Sequence, residues 1–507
     1  MNVKVSATLA LLLFVVAASC ERTPVGAGAV VRLGGEQRVR PALVAAKPLI
    51  LASKPQLTAA KATAGSGRSP SFWWALLANW LYFMSLGLSI PNLPYVVGGL
   101  VNPLKDGAVN TDPTTPAAIR VSGDIEALDQ ALTFLGVGLL GALSDVVGRK
   151  PLMAWSALGF GCTCLIQGTA GLPLWRSFEA LPLLPRLLGS RASVATLFVA
   201  DAIDGVSSCM SNVAQAYVAD VSPKEKAAIN LGIFQGLSIG GAFVFAFPIG
   251  GILGAKKGPR VPILAAAVLQ FLNFLIITFV MPEPLPPAAR ANRKLDLREA
   301  NPVGALRKLF GRAPFVRDVA TVYALVTLAR HVLDAQFTVY ARYKFGWSQQ
   351  QSGPLLVLVG LMLAIAPRVV VPRLGLRRSI TGGTLVFAAG LLGTAFAATA
   401  PLFFAAILVA AVGCACIPAL VAVLTSQTAE GERGALLGGL ASVDRLLGTL
   451  GTTGYARLFA YFISDAAPFK LPGAHFVAAA GALAVAFGVA AGTFATHGAA
   501  HGYSIAY

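Results

Sequence analysis

The sequence predicts an all-α membrane protein with twelve transmembrane helices in two pseudo-symmetric six-helix bundles. Three observations lead there. Hydrophobic residues make up 56% of the 507-residue chain and charged residues only 12%, about half the charged share of a soluble domain. The apolar residues come in unbroken runs of about 20, enough to cross a bilayer as helix, and not in the alternating pattern of barrel strands. The runs fall six and six around a basic polar segment, Pro282–Asp318. Backbone in lipid must satisfy its own hydrogen bonds, so each run is read as a helix.

The first six spans are predicted at Phe72–Ile90, Ile125–Leu143, Pro151–Thr169, Ala195–Ala219, Ala228–Leu253 and Pro262–Met281. Pro91 and Pro94 stop the first, and a polar loop over 101–123 follows it. The second six are predicted at Val319–Tyr340, Pro354–Val371, Ile380–Ala398, Leu402–Thr425, Ala435–Phe462 and Phe476–Thr496. This divides the chain into a presequence (1–70), an N-terminal bundle (71–282), a linker (283–318) and a C-terminal bundle (319–507). The linker holds Arg290, Arg293, Lys294, Arg298, Arg307, Lys308, Arg312 and Arg317, which places it on the inside face by the positive-inside bias.

Residues 1–20 carry Lys4, an apolar run too short to span, and an Ala-Ser-Cys ending, the layout of a signal peptide. Residues 1–70 contain nine Lys/Arg against Glu21 and Glu36, and the stretch after the apolar run reads as a transit-like segment. That pairing predicts a plastid-envelope protein; an endomembrane or plasma-membrane protein is the alternative. The formal charge of +18 is explained by basic loops that orient the chain in lipid, so no nucleic-acid partner is expected. Cys162 and Cys164, like Cys414 and Cys416, lie two apart on one helix and point to nearly opposite sides. No metal site, cofactor or disulfide framework is expected. With no HExxH pair, nucleotide loop or nucleophile–base set, neither is an enzyme.

Ionisable groups at membrane depth are costly and either pair or act. Span 4 carries Asp201, Asp204, Ser208, Asn212 and Gln215 on one helical face. Span 7 carries Thr327, Arg330, His331, Asp334 and Thr338 at similar spacing, and span 1 carries Asn79, Tyr82, Ser85, Ser89 and Asn92. Asp201, Asp204, Arg330, His331, Asp334, Asn79, Asn212 and Gln215 are the candidate substrate and proton pathway. Depth along the helices predicts an Asp204–Arg330 pair near the midplane; separating such a pair lets the carboxylate take up a proton. Asp444 and Arg445 of span 11, and Glu126 and Asp129 near one end of span 2, read as structural or interfacial charges.

Gly141-Ala-Leu-Ser-Asp145-Val-Val-Gly148-Arg149-Lys150 resembles the loop motif between spans 2 and 3 of the major facilitator superfamily. Gly141 is read as a close helix contact, Asp145 as a partner for a neighbouring helix N-terminus, Gly148 as the turn, and Arg149 and Lys150 as interface residues. Ala216-Tyr-Val-Ala-Asp220-Val-Ser-Pro223, Met281-Pro282-Glu283-Pro284 and Ser426-Gln-Thr-Ala-Glu430-Gly-Glu432-Arg433 resemble the turns after spans 4, 6 and 10 of the branch holding tetracycline-resistance-type antiporters and hippocampus-abundant-transcript-like proteins. The resemblance implies two bundles around a midplane cavity lined by spans 1, 4 and 7, and transport of a small-molecule solute, often coupled to protons, by a monomer in the lipid bilayer. Two positions depart from the drug–proton pattern: Asp201 stands where an Arg precedes the span 4 glycine, and Pro248-Ile-Gly250-Gly251 is one residue short of the span 5 motif. A transporter-fold protein that acts as a sensor or assembly factor is the alternative.

Overall fold

The computed structural model describes residues 69–102, 111–172, 192–223, 226–287, 290, 301–428 and 433–497, all within one compact unit, Ala62–Tyr507. The predicted presequence lies almost wholly outside the described residues. Every regular element among the described residues is helical. In chain order these are α1 (Phe72–Ser89), α2 (Leu93–Val101), α3 (Pro116–Val147), α4 (Arg149–Thr169), α5 (Ala192–Ser207), α6 (Met210–Val221), α7 (Ala227–Gln235), α8 (Ala242–Lys257), α9 (Arg260–Leu275), α10 (Pro302–Phe310), α11 (Pro314–Phe345), α12 (Gln349–Phe396), α13 (Ala400–Gly413), α14 (Cys416–Ser426), α15 (Arg433–Ile463) and α16 (Ala474–Thr496).

Local chemistry explains the boundaries. Pro116 opens α3 where its missing N–H costs nothing, and the Thr115 hydroxyl accepts the Ala118 N–H. The Asn301 side chain likewise accepts from Val303 and Gly304 to start α10, a helix inside the predicted linker that the apolar pattern does not reveal. A single residue separates α3 from α4: Gly148, at φ 121°, a conformation that favours glycine.

Seven helical stretches are long and apolar enough to cross a membrane, and α1 and α2, bent by 41° at Ile90–Asn92, make an eighth as one broken span. One of the seven, α12, runs for 48 residues and is interrupted at Gly375, φ 74°. A straight helix of that length would reach about 70 Å, more than twice the hydrocarbon thickness, so its two legs correspond to the eighth and ninth predicted spans. The remaining long helices α4, α11 and α15 do not join the apolar set. Arg149 and Lys150 open α4, Arg330, His331 and Asp334 lie along α11, and Asp444, Arg445 and Arg457 lie along α15.

Other spans depart from straight rods. The fourth predicted span breaks at Ser208–Cys209, between α5 and α6. The fifth contains a π-helical turn, Gly236–Gly241, between α7 and α8, and the sixth ends in another, Ile276–Val280. The second predicted span begins earlier than its apolar run: α3 starts at Pro116, inside the segment read as a loop.

Buried apolar side chains gather in two large clusters. One draws on residues 75–281, including Met153, Phe160, Tyr217, Phe234 and Ile263. The other draws on residues 309–494, including Tyr340, Phe387, Phe403 and Phe459, joined by Ile119 of α3. Between the clusters, α3 packs along α15 and α8 along α12. These contacts use missing side chains. A Cβ at Gly123 would overlap Ala456 of α15, and one at Gly251 would lie 2.6 Å from the Gln349 carbonyl oxygen.

Candidate functional site

The charged residues near the middles of α3, α5, α11 and α15 form two adjoining networks. The first begins with a close approach of α5 to α3. A Cβ at Gly205 would fall 2.7 Å from Leu132 Cβ and 2.9 Å from the Asp129 carbonyl oxygen, and the Thr133 hydroxyl donates to the Gly205 carbonyl at 3.4 Å. That contact brings the side chains of Asp129 and Asp204 within electrostatic reach of each other. Each has an Oδ1 that is buried and accepts no hydrogen bond. Glu126 and Arg445 act on both carboxyls, and the Tyr82 ring of α1 lies beside them. Asp201, one turn earlier on α5, has a donor of its own: its Oδ2 accepts from Gln167 Nε2 of α4 at 3.0 Å, and the residue is buried.

The second network joins α11 to α15. Arg330 Nη2 donates to Asp444 Oδ1 at 2.8 Å. His331 Nε2 lies 3.1 Å from the Asp444 carbonyl oxygen and 3.6 Å from its Oδ1. Arg330 thus engages Asp444, and among the described residues no ion pair joins it to Asp204. Depth along a helix fixes height but not azimuth, and Arg330 is turned toward neighbouring α15. The Asp334 side chain lies outside the described residues.

Arg445, about 100° around α15 from Asp444, takes a different partner. Its Nη1 donates to Gln130 Oε1 of α3 at 2.9 Å, and Gln130 Nε2 donates to Glu126 Oε1 at 2.9 Å. Gly448 sits where the networks meet: a Cβ there would lie 3.1 Å from His331 Cε1 and 3.2 Å from Gln130 Oε1. Asp129, read from sequence as an interfacial charge, therefore belongs to the interior set with Glu126, Gln130, Asp444 and Arg445. The spacing of Glu126, Asp129, Gln130 and Thr133 on one helical face carried that signal.

The other candidates spread out. Asn79 is fully buried and donates to the Ser238 hydroxyl at 2.8 Å, tying α1 to the first π-helical turn. Asn212 is exposed, and Gln215 accepts from Gln235 at 3.3 Å. Among the described residues no group of three or more His, Cys, Asp or Glu is arranged to hold a metal ion, and the five described cysteines are free.

The Gly141–Lys150 motif is a saturated knot. Arg149, 6% exposed, bonds Asp145 at 2.7 Å, Asp220 at 2.9 Å and the Ser144 hydroxyl at 2.6 Å. The backbone N–H groups of Arg149 and Lys150 both donate to the Glu283 carboxylate at 3.0 Å. Three sequence readings change here. Glu283, not Asp145, caps the following helix, because Asp145 is already paired. Arg149 is buried instead of interfacial. Gly141 makes no close helix contact, since a Cβ there would meet nothing within 4 Å; Gly148 does form the turn.

This architecture has relatives. A profile of the Major Facilitator Superfamily matches residues 75–451. The class C tetracycline resistance protein of Escherichia coli is 30% identical over 358 residues, covering 70% of this chain and 83% of its own. Hippocampus abundant transcript-like protein 1 of Bos taurus is 27% identical, covering 68% of this chain and 64% of its own. The human organic anion transporter MFSD10 (TETRAN) superposes with a TM-score of 0.60 at 20% identity, over 83% of this chain and 98% of its own. A bacterial homolog of the human lysosomal transporter Spinster, inward-facing and occupied, superposes at 0.61 and 16% identity, over 85% and 98%. The chain is an integral multi-pass membrane protein, and it belongs to the Major Facilitator Superfamily.

Proposed function

We propose that this protein is a secondary active transporter that moves a small organic solute by alternating access, with Asp129 and Asp204 as its proton-carrying groups. In this reading twelve crossings form two bundles, 71–282 and 319–507, that rock about the charged centre as a monomer. The observation that carries it is the pair of buried Oδ1 atoms without donors on Asp129 and Asp204, next to Arg445. A buried carboxyl without a donor is most stable when a proton or an incoming cation neutralises it. Such a group binds and releases its proton as access alternates. Transport by the superfamily in general, and the tetracycline-resistance relatives in particular, support a small organic solute.

The test is uptake and efflux by the purified chain in liposomes, over a metabolite and drug panel, with and without a pH gradient. Transport that ignores the gradient, or an Asp204→Asn variant that stays gradient-driven, would refute the proton role. We assign the presequence to plastid-envelope targeting on the composition of residues 1–70. A fusion of those residues to a fluorescent protein that labels only a reticular endomembrane would end that assignment.

A further inference from the structure

Arg445 presents an electrostatic puzzle. It is half-buried, with the carboxyls of Asp129 and Asp204 within reach of its charge. Yet among the described residues its side chain's hydrogen bond goes to a neutral amide, Gln130 Oε1, at 2.9 Å. A hydrogen bond to a carboxylate is about twice as strong as one to an uncharged acceptor. Choosing the amide fits a state in which the two carboxyls share a proton.

Gln130 is built to make that choice. It is 8% exposed, and its Nε2 is committed to Glu126 Oε1 at 2.9 Å, which turns Oε1 toward α15. Gly448 leaves room for the approach. The groups facing the acid pair come from five helices: Asp201 with Asp204 on α5, Glu126 with Asp129 on α3, Tyr82 on α1, Cys164 on α4 and Arg445 on α15. Arg445 is the single cation among them.

We infer that Gln130 is a positioning residue: it parks Arg445 away from Asp129 and Asp204 while they hold the proton, and yields it to them when the proton leaves. Arg445 keeps its charge throughout, and the proton passes to water on the open side. One consequence is mechanical. Arg445 belongs to α15 and Gln130 to α3, so the change of partner alters a contact between a helix of the first half of the sequence and one of the second. The inference rests on the acid pair being the proton site.

The test uses the full-length chain purified into lipid vesicles, with the proton as the only ligand. The pH midpoint is read from the infrared C=O stretch of the protonated carboxyls. Gln130→Leu frees Arg445 onto the carboxylates and lowers the midpoint by about one pH unit, a tenfold weaker hold on the proton. Arg445→Met raises it by a similar amount. The double variant titrates like Arg445→Met, because Gln130 acts only through Arg445. Gln130→Asn, too short to reach both partners, shifts in the same direction as Gln130→Leu and serves if the latter does not fold. Gln130 variants that titrate with the wild type, or a double variant that follows Gln130→Leu, overturn the inference. Replacing both acids, Asp129→Asn together with Asp204→Asn, separates the two levels. If the band persists unchanged in that variant, the proton site itself is wrong; if it vanishes while the Gln130 variants leave the midpoint in place, only the role of Gln130 falls.

Discussion

Arg149 and the Asp129–Asp204 pair are both charged and both enclosed by helices, yet their surroundings are opposite. Around Arg149 the charge is matched several times over: two carboxylates and a hydroxyl meet the guanidinium, and Glu283 takes two backbone N–H groups beside it. At the acid pair two carboxyl oxygens have no donor at all. Saturated charge holds helices α3, α4 and α6 in one geometry. Unsaturated charge gives the molecule a reason to adopt another geometry or bind something. The difference separates structural from working ionisable groups, which composition and helical spacing cannot do.

The largest expected effect lies at the saturated end. Arg149→Ala removes the guanidinium that Asp145 and Asp220 share and should cost about 3 kcal/mol, read as a large fall in thermal midpoint in detergent. Arg149→Lys recovers only part of it, since one ammonium lacks the guanidinium fork. The acid pair should respond with the other sign. Asp204→Asn removes a carboxyl whose buried Oδ1 lacks a donor, so the thermal midpoint stays level or rises while proton-driven transport is lost. A destabilisation of Asp204→Asn as deep as that of Arg149→Ala would erase the distinction.

A smaller effect is expected at Gly205, which brings the acid pair together. Gly205→Ala places a methyl against Leu132 Cβ and the Asp129 backbone, and overpacking of this kind costs about 1–3 kcal/mol. Transport should fall further than stability, because the two carboxyls separate. The same contact explains how much the sequence discloses. Apolar runs mark the seven helical stretches long and apolar enough to cross a membrane, and the broken pair α1–α2 as an eighth, because lipid punishes each exposed polar group. The helices α4, α11 and α15 were legible as helices as well, although they fall outside that apolar set. The charged site was only half legible. Helical spacing put Asp204 and Arg330 on interior faces, but partner choice depends on which helices adjoin, and that is set by close-packed glycines such as Gly123, Gly205 and Gly448. The break at Ser208–Cys209, where the Ser156 hydroxyl accepts the Cys209 and Met210 N–H groups, and the π-helical turns leave no mark in the apolar pattern.

The smallest effect comes from a charge in water, the control for both. In the turn after α15, Lys470 Nζ bonds Asp465 Oδ1 at 2.9 Å and the carbonyls of Ile463 and Ser464 at 3.1 and 2.6 Å. The hydrogen bond and charge of Lys470 hold the Asp465 carboxyl below its ordinary range. By linkage, a carboxyl held low in the folded state adds stability at higher pH and loses it as pH falls toward that value. Here the carboxyl is fully exposed, so solvent and salt screen the gain. Lys470→Met should therefore return Asp465 to the usual carboxylate range in a carbon-13 NMR titration, and high salt should do much the same to the wild type. The thermal midpoint should not move. A fall approaching that of Arg149→Ala would mean that carbonyl capping by Lys470 anchors the end of α15, and that exposure is the wrong criterion for telling idle charges from structural ones.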